Sequence, residues 1–113
     1  MSKPLIRVSQ GVFGPELTDK VIASLNDGRK ALEPALQALP GLLHYYVAVD
    51  TNSNSMVNIS VWESVEAARQ MDKLPEMAAQ REIFIGIGVK FEPIRNYSGL
   101  WSIERNESGG GAR

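Results

Sequence analysis

Few side chains in this chain are equipped for chemistry, and most of them lie between Pro40 and Gln70. The run Leu-Leu-His-Tyr-Tyr-Val-Ala-Val-Asp puts an imidazole, His44, and a phenol, Tyr46, two residues apart. In extended chain that spacing places both on one side, because successive side chains alternate between faces. His44 is either a structural histidine or a base or hydrogen-bond partner in a pocket, and Tyr46 shares its fate. In Met-Val-Asn-Ile-Ser-Val-Trp the same alternation puts Met56, Asn58, Ser60 and Trp62 on a semi-polar face and Val57, Ile59 and Val61 on an apolar one. A pocket is expected on the face carrying Asn58, Trp62, His44 and Tyr46, with Ser60 beside them. Each has a plainer reading too: Asn58 satisfies a backbone group or an edge, and Trp62 anchors the following helix. Glu63 and Glu66 suit a helix N-terminus and do not form an acid pair. The chain has no cysteine and one histidine, which excludes thiolate chemistry and a multi-histidine metal site within one chain.

The elements that must position these residues are legible from patterning. Leu43 to Val49 and Val57 to Val61 are rich in β-branched and aromatic residues, and the turn formers Thr51 to Ser55 between them predict a hairpin. Ser64 is a helix cap directly after Trp62, and the helix runs to Lys73, where Leu74-Pro75 interrupts it. A second helical piece covers Pro75 to about Phe84, with Gly86 and Gly88 at its end. Upstream, Leu5 to Phe13 reads as a strand with Ile6, Val8 and Val12 on one face and Leu5, Arg7 and Ser9 on the other. Leu17, Val21, Leu25, Leu32, Leu36 and Leu39 then form one helical stripe. Asn26-Asp27-Gly28 and Pro34 predict a kink or break near Gly28 to Glu33. Ile94 to Ile103 reads as the last strand, with Tyr97 and Trp101 as core or interface aromatics. Met71 is core filler or, with Tyr46 and Ser60, part of a substrate-binding surface.

The resulting order, strand, helix, strand, strand, helix, strand, predicts an α+β, ferredoxin-like βαββαβ domain over residues 1–103. It has a four-stranded antiparallel sheet with both helices on one face. Residues 104–113 read as a flexible polar tail. Because several strands carry apolar side chains on both faces, the uncovered face predicts a homodimer. A length of 113 residues fits one core, and 43% hydrophobic with 22% charged residues excludes a disordered chain. A net charge of −1 with scattered basic residues gives no footprint for nucleic acid or membrane. No apolar run reaches spanning length and the first residues lack a signal-peptide core, so a cytoplasmic protein is expected.

With this element order, Pro40-Gly41 ahead of the second strand and Val-Trp-Glu-Ser at the strand-to-helix junction (Val61 to Ser64), the chain resembles the antibiotic biosynthesis monooxygenase family of the dimeric α/β-barrel superfamily. The resemblance covers roughly Leu5 to Ile103. It implies a dimer with back-to-back sheets and, in each subunit, a cleft between sheet and helices. Some relatives oxidise phenols or quinols with molecular oxygen and no cofactor or metal; others degrade haem. In the cofactor-independent oxygenases an asparagine and a tryptophan four residues apart on the third strand line the cleft, and Asn58 and Trp62 stand at that spacing here. An amide polarises a phenolate or carbonyl, and an indole supplies a flat wall and one donor. The resemblance therefore implies Asn58 and Trp62 as catalytic residues and a small aromatic molecule as substrate, and His44 is added as a catalytic candidate from its own residue type and place. A tyrosine of those enzymes would fall near Ala68. The haem degraders' tryptophan and histidine would fall near Met71 and Arg81. A non-catalytic, ligand-binding or sensing dimer on the same scaffold is the alternative.

Overall fold

The computed structural model describes residues 3–105. β1 (Leu5–Val12) leads through a 3-10 turn (Pro15–Leu17) into α1 (Thr18–Gln37); β2 (Leu42–Asp50) and β3 (Ser55–Trp62) form the hairpin. α2 (Val65–Ala68) continues as a 3-10 stretch (Arg69–Lys73), and α3 (Pro75–Ile87) follows before the short strands β4 (Lys90–Phe91) and β5 (Arg95–Ser98). The sheet is antiparallel, ordered β2-β3-β1-β4, with β5 also on β1. This is the expected ferredoxin-like arrangement, with its fourth strand in two pieces. Pro93 lies in the gap between them and has no N–H for the ladder, although the Glu92 N–H still donates to the Gln10 carbonyl at 2.8 Å.

The strand expected over Ile94 to Ile103 is shorter than the sequence predicts. Ser98 pairs with Leu5, the first residue of β1. Before Leu5 stands Pro4, whose carbonyl accepts from Gly99 but which has no N–H to return. Pairing stops there, and Leu100, Trp101 and Ile103 are 73%, 79% and 84% exposed. The polar tail expected from residue 104 lies outside the described residues from 106 onward.

The predicted break in α1 is also absent: the helix runs unbroken from Thr18 to Gln37 with Pro34 inside it. Gly28 is buried there, and a β-carbon in its place would meet the Gln80 amide of α3. The glycine serves a close helix–helix approach, and the carbonyl that Pro34 cannot satisfy belongs to exposed Lys30. The second helical region breaks where the sequence places it, at Leu74 before Pro75, and the Ser64 hydroxyl accepts from the Ala67 N–H at 3.1 Å as an N-cap. Gly41 takes a left-handed φ of 85°, and its carbonyl accepts from the Glu63 N–H at 2.8 Å, tying the start of β2 to the end of β3. Among the described residues no helix is long and apolar enough to cross a membrane.

Register decides which side chains share a face. Leu5, Arg7, Ser9 and Gly11 of β1 stand opposite Trp62, Ser60, Asn58 and Met56 of β3, which in turn face Leu42, Tyr45, Val47 and Val49 of β2. The helices pack on this inner face, since Leu36 of α1 meets Trp62 and Leu5, and Val21 and Phe84 meet Met56. On the outer face Ile6, Val8 and Gln10 neighbour Val61, Ile59 and Val57, flanked by His44, Tyr46 and Ala48 on β2 and by Tyr97 on β5. No element of the described chain covers this side, and Tyr46 and Tyr97 are about half exposed.

Candidate functional site

The inner face is greasy at its ends and polar in its middle. At one end Leu5, Trp62, Leu36, Ala68 and Met71 form one buried cluster; at the other Phe13, Val21, Met56, Phe84 and Val89 form a second. Between them run two rows of side chains across the sheet, Ser9-Asn58-Val47 and Arg7-Ser60-Tyr45. Short polar residues and a guanidinium do not draw helix side chains down onto themselves as leucines do, because burying them costs desolvation that packing alone does not return. Above these rows a cavity of ≈ 990 Å³ opens between the sheet and helices α1 and α3, reached by Asn58, Tyr45, Arg7, Ser9 and Met71. That volume lies at the upper end of the usual range for small-molecule sites, about 300–1,000 Å³.

The sequence-predicted residues divide. Asn58 lies on the cavity floor, half-buried, and Met71 forms part of the wall while packing against Trp62. Ser60 and Trp62 share the inner face but are wholly buried beneath it, outside the cavity lining. Neither the Ser60 hydroxyl nor the Trp62 indole N–H has a hydrogen-bond partner among the described residues. Such orphaned groups cost about 1–3 kcal/mol each. Trp62 is thus a packing anchor for the helix that follows, joined to Ala68 and Met71 in one cluster.

His44 and Tyr46 do not join Asn58 and Trp62. They stand opposite Val61 and Ile59 on the outer face, their rings stacked with centroids 6.0 Å apart. His44 nevertheless borders the cavity, next to the irregularity in pairing between Leu42 and His44. The cause is the turn. Thr51 to Ser55 reads as five turn residues, which would pair Asp50 with Met56 and His44 with Trp62. Ser55 instead belongs to β3 and pairs with Asp50, and a slip of one residue exchanges the faces of the whole strand. Asp50 itself holds the tighter turn, accepting from the Ser53 hydroxyl and the Asn52 N–H at 2.9 Å each. Those two bonds, the Ser53 one foremost, keep its carboxyl below the usual range.

Two residues that sequence reasoning left out of the site occupy it. Tyr45 lies on the inner face, and desolvation pushes its phenol up to about 12, so at neutral pH it is a hydrogen-bond donor and not a base. Arg7 has an 86% buried side chain whose Nη2 donates to Asp72 Oδ1 at 2.8 Å. Its signal was partial: in β1 a lone charge alternates in phase with Leu5. The remaining charges sit at the rim, with Arg29 on Glu33 at 3.2 Å and the Arg81 guanidinium 4.6 Å above the Phe91 ring.

No family model matches the chain, and no curated protein matches it. Solved structures do. SnoaB, a cofactor-independent oxygenase from Streptomyces nogalater, superposes with a TM-score of 0.66 over 92% of this chain and 100% of its own, at 15% identity. A Deinococcus radiodurans protein named as an antibiotic biosynthesis monooxygenase gives 0.68 over 90% and 98% of the two chains at 17% identity. One of the same name from Chloroflexus aurantiacus gives 0.62 over 89% and 97% at 18% identity. This chain therefore has the fold of the antibiotic biosynthesis monooxygenases, and at these identities the likeness extends to fold alone.

Proposed function

We propose that the protein is a cofactor-independent monooxygenase that oxidises a small aromatic phenol or quinol in the inner-face cavity. One observation carries this reading: Asn58 occupies the floor of a cavity of ≈ 990 Å³ walled by two apolar clusters. Its amide donates to the substrate's phenolic or carbonyl oxygen and stabilises the anion that reacts with dioxygen. Tyr45, protonated throughout the neutral range, supplies a second donor from the neighbouring row. Met71 offers a soft apolar wall. Trp62 anchors the apolar cluster at one end of the inner face, and Ser60 is buried beside it, both outside the cavity lining.

With an anthrone as substrate the balance is complete. The ring methylene becomes a carbonyl; one atom of dioxygen enters the product and the other leaves as water with the two methylene hydrogens. Dioxygen is the oxidant and the methylene supplies all four electrons. The protein provides binding, orientation and hydrogen-bond donors, and works as a homodimer in the cytoplasm. The outer-face rows of Ile6, Val8, Val57, Ile59 and Val61, together with exposed Tyr46 and Tyr97, support an isologous interface through the sheet.

A second reading, a dimer that binds an aromatic ligand without turning it over, is favoured by Ala68. That residue is 2% exposed and packed against Trp62, so no donor reaches the cavity from this position. Oxygen uptake with anthrone or naphthohydroquinone separates the two. A rate above that of the uncatalysed solution supports the enzyme; saturable binding with no added uptake leaves the binding module.

A further inference from the structure

Arg7 is buried in a way that its one partner does not explain. It stands in the middle of β1, between β3 and β5, on the same inner-face row as Tyr45 and Ser60 and one row from Asn58. A guanidinium carries five donors in a planar fork. Among the described residues the only side chain it bonds is Asp72, through Nη2 and a single carboxylate oxygen. Asp72 is itself 58% exposed and rides on the 3-10 stretch Arg69–Lys73. An exposed carboxylate on a one-point contact gains little by holding the pair closed. Arg7 is itself one of the residues that line the cavity.

From this geometry we infer that Arg7 anchors a carboxylate on the aromatic ligand, and that Asp72 is the internal competitor the ligand displaces. A planar carboxylate meets the fork at two points where Asp72 meets it at one. The charges bordering the cavity select a single negative charge over a phosphate: Arg7, Arg29 and Arg81 are matched by Glu33, Asp72 and Glu92, and Arg29 and Arg81 are engaged at the rim. The ligand class is then an aromatic acid, with its ring between the apolar clusters and its phenolic or carbonyl oxygen at Asn58. The inference rests on the proposal that the cavity takes an aromatic ligand.

Calorimetric titration of the full chain with 2-naphthoate and with 2-naphthol, neutral at pH 7, tests it. The wild type is expected to bind the carboxylate about tenfold or more tighter, the scale of a charge-assisted pair. Arg7→Gln is expected to lose the preference for the carboxylate. Asp72→Asn, at an exposed site, is expected to bind 2-naphthoate several-fold tighter than wild type and 2-naphthol no differently, which loss of a merely structural ion pair would not produce. Binding of 2-naphthol without preference for the carboxylate, or a preference that survives Arg7→Gln, overturns the anchor and leaves the cavity reading standing. Tighter binding of both probes to Asp72→Asn also overturns it. Binding of neither probe removes both.

Discussion

The two faces of one sheet differ in what the same strands place on them. On the inner face the end rows are apolar and the middle rows are polar, so the helices seal the ends and leave a cavity over Arg7, Asn58 and Tyr45. On the outer face Ile6, Val8, Val57, Ile59 and Val61 form an apolar patch, half-buried and covered by no element of the described chain, with Arg95 beside Val8 at its margin. A strand's period of two makes the contrast possible: every substitution on β1 or β3 falls on one face or the other. A polar residue inside makes room for a ligand, whereas an apolar residue outside makes a surface that water covers at a cost of about 25 cal/mol per Å².

The strongest way to break this contrast is to charge the outer face. Ile59→Glu is expected to convert the proposed dimer to a monomer, and light scattering should fall from twice 12.4 kDa to 12.4 kDa at micromolar concentration. A wild-type mass of 12.4 kDa would remove the interface from the account. On the inner face, Trp62→Ala should cost about 3–5 kcal/mol in denaturant unfolding, because a fully buried indole leaves a void between Leu5, Leu36 and Met71. Trp62→Phe should cost much less, since it also removes the orphaned indole N–H. A loss for Trp62→Phe as large as for Trp62→Ala would contradict the role of Trp62 as a packing anchor.

Tyr45 gives a smaller and pH-dependent difference. Its folded pKa, about 12, lies above the ordinary 10.0, so its share of stability is complete below pH 10 and is lost as pH rises toward 12. Between those values wild type should lose roughly 2 kcal/mol that Tyr45→Phe keeps; matching alkaline unfolding curves would place the phenol in water. The smallest effect belongs to the hairpin turn. Asp50 has a lowered pKa, so its contribution is present above the ordinary carboxylate value and disappears as pH falls below it. Asp50→Asn should flatten that acid limb, read as amide exchange of Asn52 by NMR.

Much of this was legible in the chain. The Ser64 cap, the break at Pro75 and the element order follow from local chemistry that tertiary packing did not override. The errors share one cause, which is that local signals do not report their partners. Gly28 reads as a breaker until α3 is seen against it, and Ile94 to Ile103 reads as strand until β1 runs out opposite Ser98. Ser55 reads as turn until Asp50 pairs with it, and that one residue moved His44 and Tyr46 to the face away from Asn58. Alternation puts Arg7 in phase with Leu5 and Ser9 without telling which face is inward or what space lies above it.

The central claim, that the inner face reacts and the outer face associates, is tested most directly by one paired measurement. Oxygen uptake with anthrone is followed for Asn58→Ala and His44→Ala beside wild type, with each variant's dimer mass checked. Asn58→Ala is expected to lose about 10²-fold or more in rate, the scale of removing one oxyanion donor, while His44→Ala keeps most of it. Full activity in Asn58→Ala, or an equal collapse in a His44→Ala protein that is still dimeric, would contradict the division of the two faces.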